Sequence, residues 1–486
     1  MTPMLAATLF LAIQTTAPST QSTTQPATRP AEPIEIIQAE ASSAELTPQR
    51  VARLTNAFEQ SLVVIEYVWE GEEGRQELEG VGILVDDGVV MAPLDLVPVV
   101  LPDAQVSDFK IKVPRRDGDP TEYDAILAGR DERSTVTYFE LAEGQEALPE
   151  SARPVKFAET PLMPGQPLVS IGRLPESAGY TTFTTVARVA TNLRGPKPTV
   201  LVDGNLAGTG AVVFDLDGRA VGFVDRFGRR SPFLTGATAL DVVEGLPQLF
   251  VPTSFLAPSL ADRPTGGVDP AIPYLGIARA VGVSEDLRDY YGLGDRPAVQ
   301  VGDIIAGSPA DEADVNTGDV IVAVDGEELE RGDTADEQPD IFNRNIGRKA
   351  PGTQVTLTLL NPAREEREVA VTLGERPMQA RSAERWYAED LGFSVRELVL
   401  GDRYERKIAL DSPGVAVAFV RPQSNAAAAN LQVGDLVRRV NQTQVEDLAQ
   451  FREAYEAFRE SNADDPVVLE VLSQGDTRIV RIEAPQ

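Results

Sequence analysis

Apolar and polar positions alternate through the first half of the chain in short runs divided by turn residues. Thr47-Pro48 supplies a helix N-cap and a first helical residue, and Val51, Leu54, Phe58 and Leu62 then fall on one helical stripe. Alternating or wholly apolar runs follow at 62–69, 80–85 and 89–91, and again at 125–127, 167–171 and 181–190. Many short strands with turns between them, over about two hundred residues, predict an antiparallel barrel or a pair of barrels.

The pattern changes at 251–273, where Pro, Gly, Ser and Asp accumulate and predict a linker. Two segments beyond it carry the same signals in the same order, which predicts a repeated unit. The first has Tyr274-Leu275-Gly276-Ile277, then Ser284 capping a helix with Glu285 and Asp286 in its first turn. A strand at 299–305, Ser308-Pro309-Ala310, Gly318-Asp319-Val320-Ile321 and Asp325-Gly326 complete it. The second has Asp390-Leu391-Gly392-Phe393, a strand at 415–420, Ser424 to Asn430 and Gly434-Asp435-Leu436-Val437. Its late helix carries Leu448, Phe451, Tyr455 and Phe458 on one stripe.

A length of 486 residues predicts three or four domains. The formal charge of −31 argues against nucleic acid as a partner, since phosphates require a basic face. Without cysteine there are no disulfides, thiolate nucleophiles or cysteine metal sites. The absence of histidine matters more, because it removes the imidazole general base, the Ser-His-Asp triad and histidine metal ligands. No clustered acidic cation loop, phosphate-cradling loop or dinucleotide fingerprint appears, so neither a metal nor a cofactor is expected.

At the N-terminus, a short apolar run from Met4 to Ile13 and the small residues Thr15-Thr16-Ala17 predict a signal peptide over 1–17. A short hydrophobic anchor or a buried segment are the alternatives, because no Lys or Arg precedes Arg29. The tail over 18–45, rich in Thr, Ser, Pro, Gln and Ala, is expected to be disordered. No later segment is long and apolar enough to span a bilayer.

The stretch 201–223 reads LVDGNLAGTGAVVFDLDGRAVGF. Gly204, Gly208 and Gly210 permit a tight loop, and Asp217-Gly218 marks a hairpin between strands at 211–214 and 220–224. A glycine-rich loop on a β scaffold presents backbone amides to a ligand. Here the chain resembles the HtrA/Deg family of trypsin-like serine proteases with PDZ domains. Counting back from the Asp217-Gly218 hairpin, the family's nucleophilic serine corresponds to Thr209; aligning on Gly204-Asn205 would put Leu206 there. Gly80 to Gly88 resembles the strand pair leading to the catalytic histidine, and Ala92-Pro93-Leu94-Asp95 places Asp95 at that position. Gly129-Arg130-Asp131 resembles the approach to the catalytic aspartate, whose place Thr135 takes. Pro164 to Gly172 matches a later barrel strand. The triad positions therefore read Asp95, Thr135 and Thr209.

Both repeated segments resemble the family's PDZ domains. Each lacks the usual glycine after its short helix and has Asp314 or Asn430 there, residue types that tolerate left-handed geometry. The resemblance implies peptide binding by strand addition, with a terminal carboxylate received at Tyr274, Leu275, Gly276 and Ile277 or at Leu391, Gly392 and Phe393.

The expected fold is thus mainly β: a trypsin-like double β-barrel over 46–250, a linker over 251–270, and PDZ domains over 271–377 and 385–486. These PDZ units would be small, α+β, partly open barrels. The expected function is that of an exported, periplasmic pseudoprotease binding peptides or protein C-termini without cleaving them. A threonine hydroxyl needs a base, and a carboxylate, with an ordinary pKa of about 4, is a poor one at Asp95. An endopeptidase rearranged around Thr209 and a purely structural scaffold are the alternatives. The resemblance further implies a homo-oligomer, a trimer through the barrel domain, or partnership with an active relative.

Overall fold

The computed structural model describes residues 45–485 except 73, 99–100, 102, 116–117, 194–196, 226–247, 333, 362, 381 and 474. The export segment expected over 1–17, and all of the tail but Glu45, lie outside the described residues. Helix α1 (Pro48–Phe58) begins where expected, with the Arg50 amide donating to the Thr47 hydroxyl at 3.3 Å.

Strands β1 (Leu62–Gly71), β2 (Gly74–Asp86), β3 (Val89–Pro93), β4 (Val106–Val113), β5 (Thr121–Asp131) and β6 (Val136–Leu141) close into one barrel. Strands β7 (Pro167–Arg173), β8 (Thr182–Leu193), β9 (Thr199–Gly204), β10 (Val212–Phe214), β11 (Ala220–Phe223) and β12 (Gln248–Pro252) close into a second. The two-residue side-chain period explains why these strands read as nearly continuous apolar runs. In the first barrel Val63, Ile65, Leu84 and Val90 fill one core. Their neighbours Leu62, Ile83 and Met91 face the other way and join Val169, Ile171, Val212 and Phe214 in a second core uniting the two barrels.

The linker expected over 251–270 is corrected. Phe250 and Val251 are fully buried in β12, and α2 (Thr253–Ala261) packs Leu256, also fully buried, onto the barrels. Further along, the Arg130 amide donates to the Asp269 carboxylate at 2.7 Å, and the Arg130 guanidinium pairs with Asp269 and with Asp103. Proline-rich composition concealed a helix whose Pro258 sits within a single short run.

The first PDZ unit comprises β13 (Pro273–Tyr274), β14 (Ile277–Gly282), β15 (Val299–Ile304), β16 (Val320–Val324), β17 (Glu327–Glu328), β18 (Gln354–Leu360), β19 (Glu366–Thr372) and β20 (Gly374–Glu375). Its helices are α3 (Glu285–Tyr291), α4 (Pro309–Glu312) and α5 (Gln338–Gly347). Ser284 caps α3 as expected, and Asp314 adopts φ +59° in the turn after α4.

The second unit comprises β21 (Arg385–Ala388), β22 (Phe393–Glu397), β23 (Val415–Val420), β24 (Leu436–Val440), β25 (Thr443–Gln444), β26 (Val467–Ser473) and β27 (Asp476–Ile482). Its helices are α6 (Leu400–Arg406), α7 (Asn425–Ala428) and α8 (Leu448–Ser461). Asn430 repeats the left-handed turn at φ +60°, and Leu448, Phe451 and Tyr455 form the buried stripe of α8. The chain is mainly β, as the hydrophobic pattern predicts.

Candidate functional site

The loop carrying Thr209 is held from both sides. The Gly210 amide donates to the Val224 carbonyl at 2.7 Å, and the Val224 amide returns a bond to Ala211 at 2.8 Å. Gly208 and Gly210 have φ +82° and +81°, conformations that a side chain would strain. A Cβ on Gly210 would also lie 2.8 Å from the Val81 carbonyl oxygen, so this glycine lets the loop approach the first barrel closely. Thr209 is thereby exposed beside a cleft of about 630 Å³ that Asp95 also lines. The cleft draws Trp69, Leu78 and Leu96 from the first barrel and Pro175 and Tyr180 from the second half.

Asp95 and Thr209 therefore share one cleft, whose lining does not include Thr135. The Leu94 amide donates to the Thr135 carbonyl at 3.0 Å, which ties the Asp95 segment to Thr135. Thr135 itself has φ +55°, an unfavourable conformation for a β-branched residue. Its hydroxyl donates to Asp225 at 3.1 Å, and the same carboxylate forms an ion pair with Lys197. Asp225 is buried, directly following the Val224 that anchors the Thr209 loop. Burial pushes the Lys197 ammonium below its ordinary range, and the Asp225 and Asp95 carboxylates partly restore it.

Lys197 and Asp225 were not legible as site residues: neither belongs to a recognisable motif, and only the closing of the second barrel brings them to Thr135. Among the described residues the Thr209 hydroxyl has no hydrogen-bond partner, and neither do the Gly208 and Thr209 amides. The loop can thus offer amides to a carbonyl oxygen, but among the described residues no base contacts its hydroxyl. No cluster of acidic residues suited to a metal ion occurs among the described residues.

In the first PDZ unit, β13 turns away to pair with β20, Pro273 opposite Glu375 and Tyr274 opposite Gly374. This leaves β14 at the edge of the sheet. The Ile305 amide donates to Gly276, and the Ala310 amide to Leu275, both at 2.9 Å. These bonds fix the loop through its carbonyls, and among the described residues the Leu275 and Gly276 amides have no acceptor. Gly276 has φ +94°, and a Cβ there would lie 2.1 Å from that of Ser308. At the far end, a Cβ on Gly282 would lie 2.0 Å from the Ala335 carbonyl oxygen. The strand edge next to α5 is therefore bounded between the loop and the turn that precedes that helix.

The second unit arranges the corresponding residues differently. Here β21 folds back antiparallel onto β22, pairing Ala388 with Phe393 and Trp386 with Val395. The Gly392 amide donates to the Ala388 carbonyl at 2.8 Å. Leu391, Phe393, Ser394 and Val395 are all buried.

A PDZ-domain model matches residues 273–373 and 389–483. The chain is 28% identical over 266 residues to a probable periplasmic serine endoprotease, DegP-like, of Hahella chejuensis, covering 52% of this chain and 50% of that protein. It is 25% identical over 354 residues to the periplasmic pH-dependent serine endoprotease DegQ of Escherichia coli K12, covering 72% and 70%. The chain thus spans about half the length of the first curated relatives it matches. A solved structure of the HtrA-type protease AlgW with decapeptide matches with TM-score 0.50 at 15% identity, covering 68% of this chain and 99% of that one. That likeness is one of fold.

Proposed function

We propose that this homologue of the HtrA/DegP-family serine endoproteases, with its paired PDZ domains, is an exported pseudoprotease that captures peptides or protein C-termini without cutting them. One observation carries the reading: a chain without histidine has a carboxylate, Asp95, at the position matching the family's base, and among the described residues the Thr209 hydroxyl has no hydrogen-bond partner. A hydroxyl attacks a carbonyl only if something removes its proton. The carbonyl-binding half of such a site, the loop amides, persists and suits holding rather than hydrolysis. The periplasmic naming of the relatives supports export, and among the described residues no helix is long and apolar enough to cross a membrane.

Capture belongs to the first PDZ unit. A peptide adds as a strand along β14, beside α5, and its terminal carboxylate meets the Leu275 and Gly276 amides next to Ile277. Exposed Ala278 and Arg279 on β14 leave that edge accessible, and Arg279 adds positive charge to an otherwise acidic protein. Titration of a carboxyl-terminal peptide library should give binding that amidation abolishes. Equal affinity for acid and amide overturns this mode. Self-association as a trimer, implied by the family, is read by sedimentation of the same sample.

One observation favours a second reading, an endopeptidase rearranged around Thr209: the half-buried Lys197, with its lowered proton affinity, is the kind of amine that can act as a base. Its ion pair with Asp225 weighs against that role. The full chain, incubated with an unfolded protein substrate, should release no fragments, and Thr209→Ser should change nothing. Turnover that disappears in both Thr209→Ala and Lys197→Met would establish the endopeptidase instead.

A further inference from the structure

We infer that Arg385–Ala388 is a built-in ligand of the second PDZ domain, lying in its peptide groove and holding it shut. The inference rests on the reading of PDZ units as strand-adding peptide binders. Strand β21 runs antiparallel to β22 on the edge that β14 leaves free in the first unit. Its end lies at the carboxylate loop, where the Gly392 amide holds the Ala388 carbonyl as it would hold a terminal carboxylate oxygen.

The side chains complete the pose. Ala388, fully buried, occupies the last position of the strand and joins the core of the unit. Two residues earlier, on the same face, Trp386 packs edge-on against Phe451 and Tyr455 of α8, with ring centroids 5.8 and 5.0 Å apart. Strand β21 thus bridges β22 and α8, the two walls of the groove. The groove is accordingly shaped for a peptide ending in a small apolar residue with an aromatic residue two positions before it.

The barrel domain braces this strand from the hairpin between β1 and β2. The Ser394 hydroxyl donates to the Glu72 carboxylate at 3.1 Å, Arg385 pairs with the same carboxylate at 3.4 Å, and Arg421 donates to the Glu72 carbonyl at 3.4 Å. Arg421 also lies 5.4 Å from the ring centre of Tyr387 on β21. One barrel residue therefore contacts both the built-in strand and the strand it covers.

The probe is a fluorescent Arg-Trp-Tyr-Ala peptide with a free carboxylate, titrated into the full chain carrying Gly276→Val to close the first unit. That background should bind the peptide weakly. Adding Trp386→Gly should tighten binding about tenfold or more, because a groove open only a fraction of the time shows an affinity reduced by that fraction. Adding Gly392→Val as well should abolish the gain. Glu72→Ala, which leaves the core of the second unit intact, should tighten binding about two- to threefold by the same relation. It should also speed hydrogen exchange of the β22 amides in the peptide-free protein. This arm decides the matter if Trp386→Gly impairs folding. Unchanged affinity in the opened variants, no binding by any of them, or fast β22 exchange in the unaltered protein overturns the inference. Capture by the first unit is read separately, in the chain without Gly276→Val, so either reading can fail alone.

Discussion

The two PDZ units place the same Leu-Gly loop on the same scaffold and differ in what precedes it. In the first, only Leu275 and Gly276 separate β13 from β14, and β13 leaves to pair with β20. Pro273 lacks an amide proton and suits a short edge pairing rather than the middle of a ladder. In the second, the residues from Glu389 to Gly392 form a reversing turn, and Arg-Trp-Tyr-Ala returns along β22. The outcome for the groove strand is opposite. Ala278 and Arg279 of β14 are exposed, whereas Phe393, Ser394, Val395 and Arg396 of β22 are buried. If these units capture peptides as proposed, the recognition loop does not by itself ensure it; the strand before the loop decides whether the groove is vacant.

The largest expected effect on peptide capture comes from exchanging the loop glycines for valine. Gly276→Val combines positive φ with a 2.1 Å clash, strain worth about 1–3 kcal/mol or more. Peptide capture by the full chain should fall at least about tenfold in equilibrium titration, since each 1.4 kcal/mol is about a factor of ten. Gly392→Val, at φ +76° with Ser424 Cβ 2.5 Å from the added carbon, should instead destabilise the second unit and leave capture unchanged. Equal loss of capture in both variants would erase the distinction between the units.

A second contrast, in stability rather than capture, lies in the buried ion pair of the second unit. Arg396 donates to both Asp402 oxygens, at 2.5 and 2.8 Å, and the Val399 amide adds a third bond at 3.0 Å. Removing one partner strands the other, so Asp402→Ala should cost about 3–5 kcal/mol, measured by chemical denaturation of the second unit's transition. The pair also gives this unit an acid limit. Burial pushes the Asp402 carboxyl up, but the Arg396 hydrogen bonds, the Val399 amide and the Arg396 and Arg406 charges outweigh it and hold it low. With a folded-state pKa below the unfolded value of about 3.9, its contribution is complete above that pH and vanishes as pH falls through the folded value. Acid unfolding followed by near-ultraviolet dichroism should therefore show a limb below about pH 4 that Asp402→Asn flattens.

The smallest effect sharpens the account of the filled groove. The Tyr455 hydroxyl donates to Asp390 at 2.6 Å, linking α8 to the turn between β21 and β22. Tyr455→Phe keeps the ring against Trp386 and should cost about 1 kcal/mol in the same denaturation experiment. It should also raise exchange of the β21 amides before those of β23. Uniform exchange across the unit would mean that β21 has no independent opening.

Local pattern alone was enough for much of this protein. Period-two apolar runs determined short strands, because alternate side chains must face opposite cores, and Leu62 and Val63 do so in the two barrel cores. Caps at Thr47 and Ser284, and left-handed turns at Asp314 and Asn430, followed from residue chemistry within a few positions. The missing imidazole was likewise plain from composition. Composition misled at 253–261, where burial of Leu256 overrode the turn-forming residues and made a helix.

Only the tertiary structure decided which distant residues meet. Closing the second barrel brings Lys197 and Asp225 to Thr135, and a hairpin of the first barrel carries Glu72 to Ser394, more than three hundred positions away. Neither pairing has a local signature, since a carboxylate reads alike on a solvated turn and in a buried ion pair. The fate of the two PDZ grooves was hidden for the same reason. Whether a short strand before a loop folds back or leaves depends on the energies of rival partners, here β20 for one unit and β22 with α8 for the other. Those partners lie far along the chain and become neighbours only when it folds.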